Sequence, residues 1–198
     1  MMEKFVDKII SKQLEEKIIS RDEINIYRYG YMLVYEVVVN MIIAVVIAQV
    51  SGEWLLIALF FVIYIPLRSF CGGWHADKFW KCTIYSNMII VVMLVIKDTV
   101  IDMNNVFLLI SIFGVCSVCI LSLAPMGTIT KPISKDEKKL YSKKIRIIMS
   151  IQVIIYVIMI IIKCYEMLYL ISFSYLTQFA MLIIEKLCRK NIEKTKEM

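Results

Sequence analysis

The sequence predicts an all-α polytopic membrane protein with about six transmembrane helices and an N-terminal amphipathic helix. Hydrophobic residues make up 60% of the 198 residues, well above the roughly 45–50% that is usual in soluble domains, and the mean hydropathy is +0.75. The apolar residues are gathered in six runs separated by charged segments. Since no internal repeat and no Gly/Ser-rich linker divides the chain, we expect residues 1–198 to form a single integral membrane domain.

Residues 1–28 are predicted to form a cytoplasmic amphipathic helix. Apolar side chains recur there at spacings of mostly three and four, with lysines between them: Phe5, Val6, Ile9, Ile10, Leu14 and Ile18. This apolar face can lie on a membrane surface or pack on the cytosolic part of the same protein, and the sequence favours neither. We expect no signal peptide, because the segment is charged throughout, and we expect the cysteines to be mostly reduced thiols.

Six apolar runs follow, and each is predicted to cross the membrane. They span residues 29–50, 54–67, 83–96, 106–124, 147–162 and 167–184. Crossing a bilayer takes roughly 20 helical residues, so the second run, which stops at Pro66, and the third run are short. We expect these two helices to tilt, to thin the bilayer, or to extend into residues 68–82 that join them.

Lysine and arginine alternate between rich and poor connecting segments. Counted along the chain, the segments around the six runs hold 6, 0, 3, 1, 7, 1 and 5 of these residues. Cytoplasmic segments of membrane proteins carry the excess of positive charge. The pattern therefore predicts that both termini, residues 68–82 and residues 125–146 are cytoplasmic. Because the basic residues are not gathered on one domain, the net charge of +6 does not indicate a nucleic-acid partner.

Residues 68–82, RSFCGGWHADKFWKC, hold the residues that carry the most chemistry. His75 is the chain's one histidine, with Cys71 four residues before it and Cys82 seven after it. A base and a thiol in one short segment indicate a nucleophilic cysteine site. By chemistry alone, either cysteine is a credible nucleophile.

The spacing of His75 and Cys82 also predicts the shape of this segment. In one continuous helix their Cα atoms would stand roughly 10.5 Å apart, whereas a nucleophile and its base must come within about 2.6–3.2 Å of each other. We therefore expect the helix to break between them, with Cys82 in the first turn of the third membrane helix. There the helix dipole favours a thiolate.

Six residues in this segment resemble, by identity and spacing, the signature of the accessory gene regulator B (AgrB) family: Arg68, Gly72, Gly73, His75, Ala76 and Cys82. The resemblance implies a membrane cysteine endopeptidase of the bacterial cell membrane. Such enzymes cut the C-terminal tail from a short propeptide of the AgrD type and cyclise the remainder into a thiolactone or lactone signal for quorum sensing. It further implies Cys82 as nucleophile, His75 as general base, and a homodimer.

Supporting roles are expected for other residues of the segment and for two polar residues elsewhere. Arg68 is expected to anchor a peptide carboxylate or to brace the loop, and Gly72 with Gly73 to let backbone N–H groups face an oxyanion or the peptide. Glu36, inside the first apolar run, either pairs with a basic residue near the cytoplasmic end, Arg28 or Lys81, or orients His75. Asn87 is the alternative group for orienting His75.

Residues 125–146 form a basic cytoplasmic loop with seven lysines and arginines. Such a segment touches anionic lipid headgroups. Its Lys131 and Pro132 also resemble the corresponding AgrB-family segment, where a cationic loop could hold an acidic peptide tail.

Two other function classes remain as alternatives. Cys116 and Cys119 form a CxxC pair in the fourth apolar run, the spacing of thiol oxidoreductases, although nothing around them would activate a thiol. The second alternative is a non-enzymatic peptide transporter in which residues 68–82 are only a tight turn. One histidine and scattered cysteines predict no metal site, and we expect no cofactor.

Overall fold

The computed structural model describes residues 2–16, 18–74, 76, 79–102, 105–127 and 133–197. These residues form seven α-helices, which we number α1 to α7. Their bounds are Met2–Glu15, Ile24–Ser51, Trp54–Cys71, Phe79–Asp102, Val106–Leu123, Lys135–Ile161 and Tyr165–Glu197. A short 3-10 helix, Arg21–Glu23, precedes α2, and the described residues contain no β-strand.

Six of these helices, α2 to α7, are long and apolar enough to cross a membrane. Together with the amphipathic α1, this confirms the predicted fold class.

The second membrane helix is longer than its apolar run. Helix α3 continues past Pro66 to Cys71. A proline inside a helix removes one backbone hydrogen bond, but Leu67 and Cys71 beyond it are both 0% exposed. Burial of these side chains keeps the helix intact, so this helix extends into residues 68–71, one of the three possibilities expected for the short run.

The third membrane helix also begins before its apolar run. Helix α4 starts at Phe79 rather than at Thr83 and is 24 residues long. Extension into the joining segment therefore explains how both short runs reach membrane-spanning length.

Helix α1 packs on its own chain. Val6 and Ile10 are buried with Ile19 in a small cluster beside Tyr31 and Met32 of α2. An ion pair at 2.5 Å between Arg28 and Asp7 adds to this contact. Of the two placements left open by the sequence, the structure favours packing on the same protein, here against the start of α2 rather than against loops.

Helix α7 is the central element of the bundle. In the membrane-spanning stretch of α7, 61% of the residues are buried, against 11–33% in the corresponding stretches of the other five membrane helices. Helix α7 contacts α3, α4, α5 and α6. Leu168, Leu170, Tyr175 and Leu182 are all 0% exposed. Helices α3 to α6 are therefore arranged around α7, whereas α2 packs on α3 and α4.

Buried hydrogen bonds link α7 and its neighbours. The Tyr175 hydroxyl donates to Oε1 of Gln152 on α6 at 2.8 Å, and Nε2 of Gln152 donates to the Ile63 carbonyl on α3 at 2.9 Å. The Tyr169 hydroxyl donates to the Met93 carbonyl on α4 at 2.6 Å. Tyr175, Gln152 and Tyr169 are thus paired where they are buried, as an apolar environment requires.

Replacing Tyr175 with phenylalanine should lower the stability of the bundle. The substitution leaves Gln152 Oε1 without its 2.8 Å donor, and an unpaired buried acceptor costs about 1–3 kcal/mol. We expect a lower thermal unfolding temperature in detergent micelles. Tyr27→Phe is the matched control, because Tyr27 is 40% exposed, and an equal effect of both substitutions would argue against this role of Tyr175.

Candidate active site

The segment between α3 and α4 is not helical throughout. Helix α3 ends at Cys71, residues 72–74 leave the helix, and α4 begins at Phe79. Cys82 is therefore in the first turn of α4, and the predicted break in the helix is confirmed. His75 lies outside the described residues, so its pairing with Cys82 stays a prediction.

The Arg68 side chain holds residues 72–74 through their backbone carbonyls. Nη1 donates to the carbonyl oxygen of Gly72, and Nη2 donates to those of Gly73 at 3.5 Å and Trp74 at 2.5 Å. The planar guanidinium, with several donors in fixed directions, suits such contacts to successive carbonyls. Of the two roles expected for Arg68, these contacts favour bracing of the loop over binding of a peptide carboxylate.

Two other parts of the chain also bind the backbone of residues 71–74. On α7, Gln178 donates through Nε2 to the Gly72 carbonyl at 2.9 Å, and the Met181 carbonyl accepts from the Trp74 N–H at 3.0 Å. After α5, the Met126 N–H donates to the Cys71 carbonyl at 2.9 Å. The backbone that leads to His75 is thus fixed from three sides.

Gly72 and Gly73 are required by close packing. A Cβ on Gly72 would stand 2.0 Å from the Met126 carbonyl oxygen, and one on Gly73 would stand 2.5 Å from Arg68 Nη1. Both glycines also have positive φ, 70° and 119°, which side chains disfavour. The Gly72 N–H donates to the Arg68 carbonyl at 3.2 Å. The Gly72 N–H is thus engaged within the chain, and the role expected for the Gly73 N–H toward an oxyanion or the peptide stays a prediction.

Cys82 borders a cavity of about 530 Å³. Its walls come from α2, α3, α4, α6, α7 and the segments after α3 and α5, and they are mostly apolar. The polar and charged side chains among the lining residues, tyrosines aside, are Glu36, Asn40, Arg68, Ser69, Ser86, Asn87 and Glu137. A thiol in the wall of an apolar cavity with few polar groups is typical of a binding or catalytic site.

Access separates the two candidate nucleophiles. Cys71 is 0% exposed and packs in the core of the bundle. Cys82 is partly exposed and lines the cavity. A molecule in the cavity can therefore reach the Cys82 thiol, whereas Cys71 is enclosed.

Glu36 meets Cys82 across the α2–α4 interface. The Cys82 thiol hydrogen-bonds to the Glu36 carboxylate, and the sulfur also hydrogen-bonds to the backbone of Ala76. Of the basic residues expected to pair with Glu36, Arg28 contacts Asp7 instead, and Lys81 lies over the Trp80 ring at 5.8 Å. Among the described residues, Glu36 forms no ion pair.

Asn87 lies on the same interface. Its Nδ2 donates to Oδ1 of Asn40 and to the Thr83 carbonyl, both at 2.8 Å. Asn40 is one turn beyond Glu36 on α2. Two successive polar contacts therefore join α2 and α4: Glu36 with Cys82, and Asn40 with Asn87.

Much of the predicted basic loop is helical. Helix α6 begins at Lys135, and Ser134 caps it by accepting from the Glu137 N–H at 3.2 Å. Residues 135–146 are thus a helix rather than a loop, because the capping box satisfies its first N–H groups. Lys144 lies over the Phe70 ring at 4.7 Å, which brings this basic helix to the end of α3. Lys131 and Pro132 lie outside the described residues.

The CxxC pair is remote from the cavity. Cys116 is 3% exposed in the core on α5, and neither Cys116 nor Cys119 lines the cavity. In the described part of the chain, no group of three His, Cys, Asp or Glu side chains could hold a metal ion.

Three residues that hold the backbone of residues 71–74 were not predicted from the sequence: Gln178, Met181 and Met126. They are more than 40 residues from the segment they bind, and two of them act through backbone atoms, which no sequence pattern shows. Gln178 alone gave a signal, as a polar residue inside an apolar run, where such residues are often functional.

Gly72→Ala should destabilise the protein strongly. A Cβ at this position would stand 2.0 Å from the Met126 carbonyl oxygen, at a φ of 70°. Left-handed backbone and overpacking together cost roughly 2 kcal/mol or more. Thermal unfolding in micelles measures the loss. Gly114→Ala is the matched control, since nothing lies within 4 Å of its Cβ position, and equal stability of the two variants would contradict the close packing.

Comparison with known proteins assigns the sequence to a family. The profile of the accessory gene regulator B family matches residues 2–183, from α1 into α7. No match to the chain was found among curated proteins or among solved structures. The matched region includes the broken segment between α3 and α4 and the cavity beside it. The chain belongs to the AgrB family and is a multi-pass membrane protein of agr quorum-sensing peptide processing.

Proposed function

We propose that this protein is a membrane cysteine endopeptidase that removes the C-terminal tail of an AgrD-type propeptide and promotes cyclisation of the remainder. The observation that carries the proposal is the placement of Cys82 in the wall of the cavity, in the first turn of α4. The family match supplies the peptide substrate class.

In the proposed reaction, His75 takes the proton of the Cys82 thiol, and the thiolate attacks a propeptide carbonyl. The scissile C–N bond breaks, and the leaving amine of the tail takes the proton from the imidazolium. A thioester between Cys82 and the propeptide remains. His75 then deprotonates an internal Cys or Ser of the propeptide, which attacks the thioester, closes the ring and releases the Cys82 thiol.

Cyclisation competes with hydrolysis of the thioester, and the cavity favours cyclisation. Its walls are mostly apolar and lie among membrane-spanning helices, so water is scarce at the thioester. Holding the internal nucleophile beside the thioester raises its effective concentration by orders of magnitude.

Arg68, Gly72 and Gly73 act in this proposal as supporting residues. They fix the backbone that leads to His75 through the three carbonyl contacts of Arg68. Gln178 shares this task through the Gly72 carbonyl. A rigid backbone at residues 72–74 lowers the entropic cost of placing the base that follows it.

Glu36 is the group proposed to orient His75. It already hydrogen-bonds the Cys82 thiol, but a carboxylate repels a thiolate. When the thiolate forms, the stable partner for Glu36 is the imidazolium of His75, as in a catalytic triad. Asn87 is neutral and lacks this charge effect.

The proposed membrane placement follows the positive charge. Both termini, residues 68–82 and the basic start of α6 lie in the cytoplasm, and the α6 lysines touch anionic lipid headgroups or the acidic tail of the propeptide. The chain acts as one integral membrane domain, and the family implies a homodimer.

Cys82→Ala should abolish cleavage of a tail-bearing propeptide in liposomes, by at least about 1000-fold, because the nucleophile is lost. The paired substitution Cys116→Ala with Cys119→Ala should leave the rate close to wild type, since neither cysteine lines the cavity. Release of the tail is followed by mass spectrometry. The reverse pattern would favour the thiol oxidoreductase, and uptake of uncut peptide would favour a transporter.

Labelling of single cysteines tests the orientation. In variants without native cysteines, Lys163→Cys, exposed between α6 and α7, should react with an impermeant thiol reagent added to intact cells. Lys143→Cys, exposed on the basic part of α6, should react only after the cells are opened. The opposite result would place the termini outside.

A further inference from the structure

Ser86 presents a hydroxyl to the cavity beside Cys82. Both residues line that cavity, and both are partly exposed. Ser86 lies within α4, where side chains enclose the backbone, so its CH₂–OH group is the part that reaches the cavity wall. In the described part of the chain this hydroxyl has no hydrogen-bond partner, and its oxygen is not one of the buried atoms that lack a partner. The oxygen is therefore accessible to a molecule in the cavity.

The other serine of the cavity wall, Ser69, is already bonded within its own helix. Its hydroxyl donates to the Ile65 carbonyl, one turn earlier on α3, at 2.7 Å, a bond that serines inside helices commonly form. Ser86 forms no such bond within the described residues. Since an unpaired hydroxyl is unfavourable in apolar surroundings, Ser86 is suited to donate to a bound ligand.

Helix α4 sets the distance between Ser86 and Cys82. Ser86 follows Cys82 by four residues, so the two side chains lie on one face of the helix, one turn apart. Their Cβ atoms are then about 5–6 Å apart. Side chains of a helix lean towards its N-terminus, so the Ser86 hydroxyl leans towards the turn that carries Cys82. This placement does not depend on the segment before α4.

This distance suits a donor to the oxygen of a carbonyl that the Cys82 sulfur attacks. Negative charge then collects on the carbonyl oxygen, which is bonded to the attacked carbon and not to the sulfur. A donor that stabilises this oxyanion stands about 2.7–3.1 Å from it, so a hydroxyl one helical turn from the thiol can reach it. The Gly72 N–H, one of the donors expected for this oxygen, is engaged by the Arg68 carbonyl. A donor in its place must come from another part of the cavity wall.

We propose that the Ser86 hydroxyl donates a hydrogen bond to the oxyanion that forms when Cys82 attacks the propeptide carbonyl. The sulfur forms a bond to the carbonyl carbon, the π electrons of the C=O bond move to the oxygen, and Ser86 keeps its proton. The C=O bond forms again when the C–N bond to the tail breaks. The internal Cys or Ser that attacks the thioester creates a second oxyanion, which binds the same hydroxyl. Ser86 is thus a further catalytic residue, and the inference rests on the proposed function.

The test uses full-length protein in liposomes with a tail-bearing propeptide, and kcat and KM are measured for each variant. Ser86→Ala should lower kcat by about 100-fold with little change in KM, because an oxyanion donor acts in the transition state and its loss costs about 100–1000-fold. Ser69→Ala is the matched control, since Ser69 lines the same cavity with its hydroxyl bonded to the Ile65 carbonyl. It should keep the kcat of wild type.

Two further variants of equal shape separate the effect of the hydroxyl from an effect on folding. Ser86→Thr keeps the hydroxyl, and Ser86→Val has a methyl group of similar size in its place. We expect Ser86→Thr to keep most of the wild-type kcat and Ser86→Val to match Ser86→Ala. A second readout is the pH dependence of Cys82 alkylation by iodoacetamide without propeptide, in protein whose other cysteines are replaced by alanine. Adding Ser86→Ala should leave it unchanged, because Ser86 acts on the oxyanion and not on the thiolate.

Either of two results would overturn the inference. If Ser86→Ala keeps the wild-type kcat, or if Ser86→Thr and Ser86→Val have equal kcat, the hydroxyl does not act in the reaction. If Ser86→Ala shifts the pH dependence of Cys82 alkylation, the hydroxyl binds the thiolate instead. Cleavage that is unchanged in Cys82→Ala would sink the proposed function, and this inference with it. Loss of cleavage in Cys82→Ala beside full activity of Ser86→Ala would sink the inference alone.

Discussion

The site depends on how tightly the backbone at Gly72 is held. Its carbonyl accepts from Arg68 and from Gln178, while the Met126 backbone approaches so closely that no side chain fits at residue 72. Buried carbonyls with charged or amide donors are costly to release. This short stretch of backbone is therefore rigid, although it is not helical.

The polar residues of α2 and α4 lie between membrane-spanning helices, where they bind each other. In an apolar bilayer a buried polar group must find a partner inside the protein. The Glu36 contact with Cys82 and the Asn40 contact with the Asn87 Nδ2 supply such partners and at the same time set the register between the two helices. The groups proposed for chemistry thus also contribute to helix pairing, so substitutions there should be judged by folding as well as by turnover.

The sequence was sufficient for the fold class and for the broken helix, because hydropathy and the spacing of His75 and Cys82 are local properties. The length of α3 was not predictable from its apolar run, since Leu67 and Cys71 extend it through burial against other helices. Gln178 and Met181 were missed because their contacts join distant parts of the chain. The difference in access between Cys71 and Cys82 also required the structure, because by chemistry alone the two thiols are equal.

The contacts of Gln178 and Met181 with the segment before His75 can form only late in synthesis. Gln178 and Met181 belong to the last membrane helix, and they supply two of the bonds that fix the segment before His75. While the ribosome is still making α7, the earlier helices lack these bonds and the central surface on which they pack. A nascent chain therefore has the Cys82 thiol but no assembled cavity, and the proposed activity can begin only when the whole bundle has been inserted.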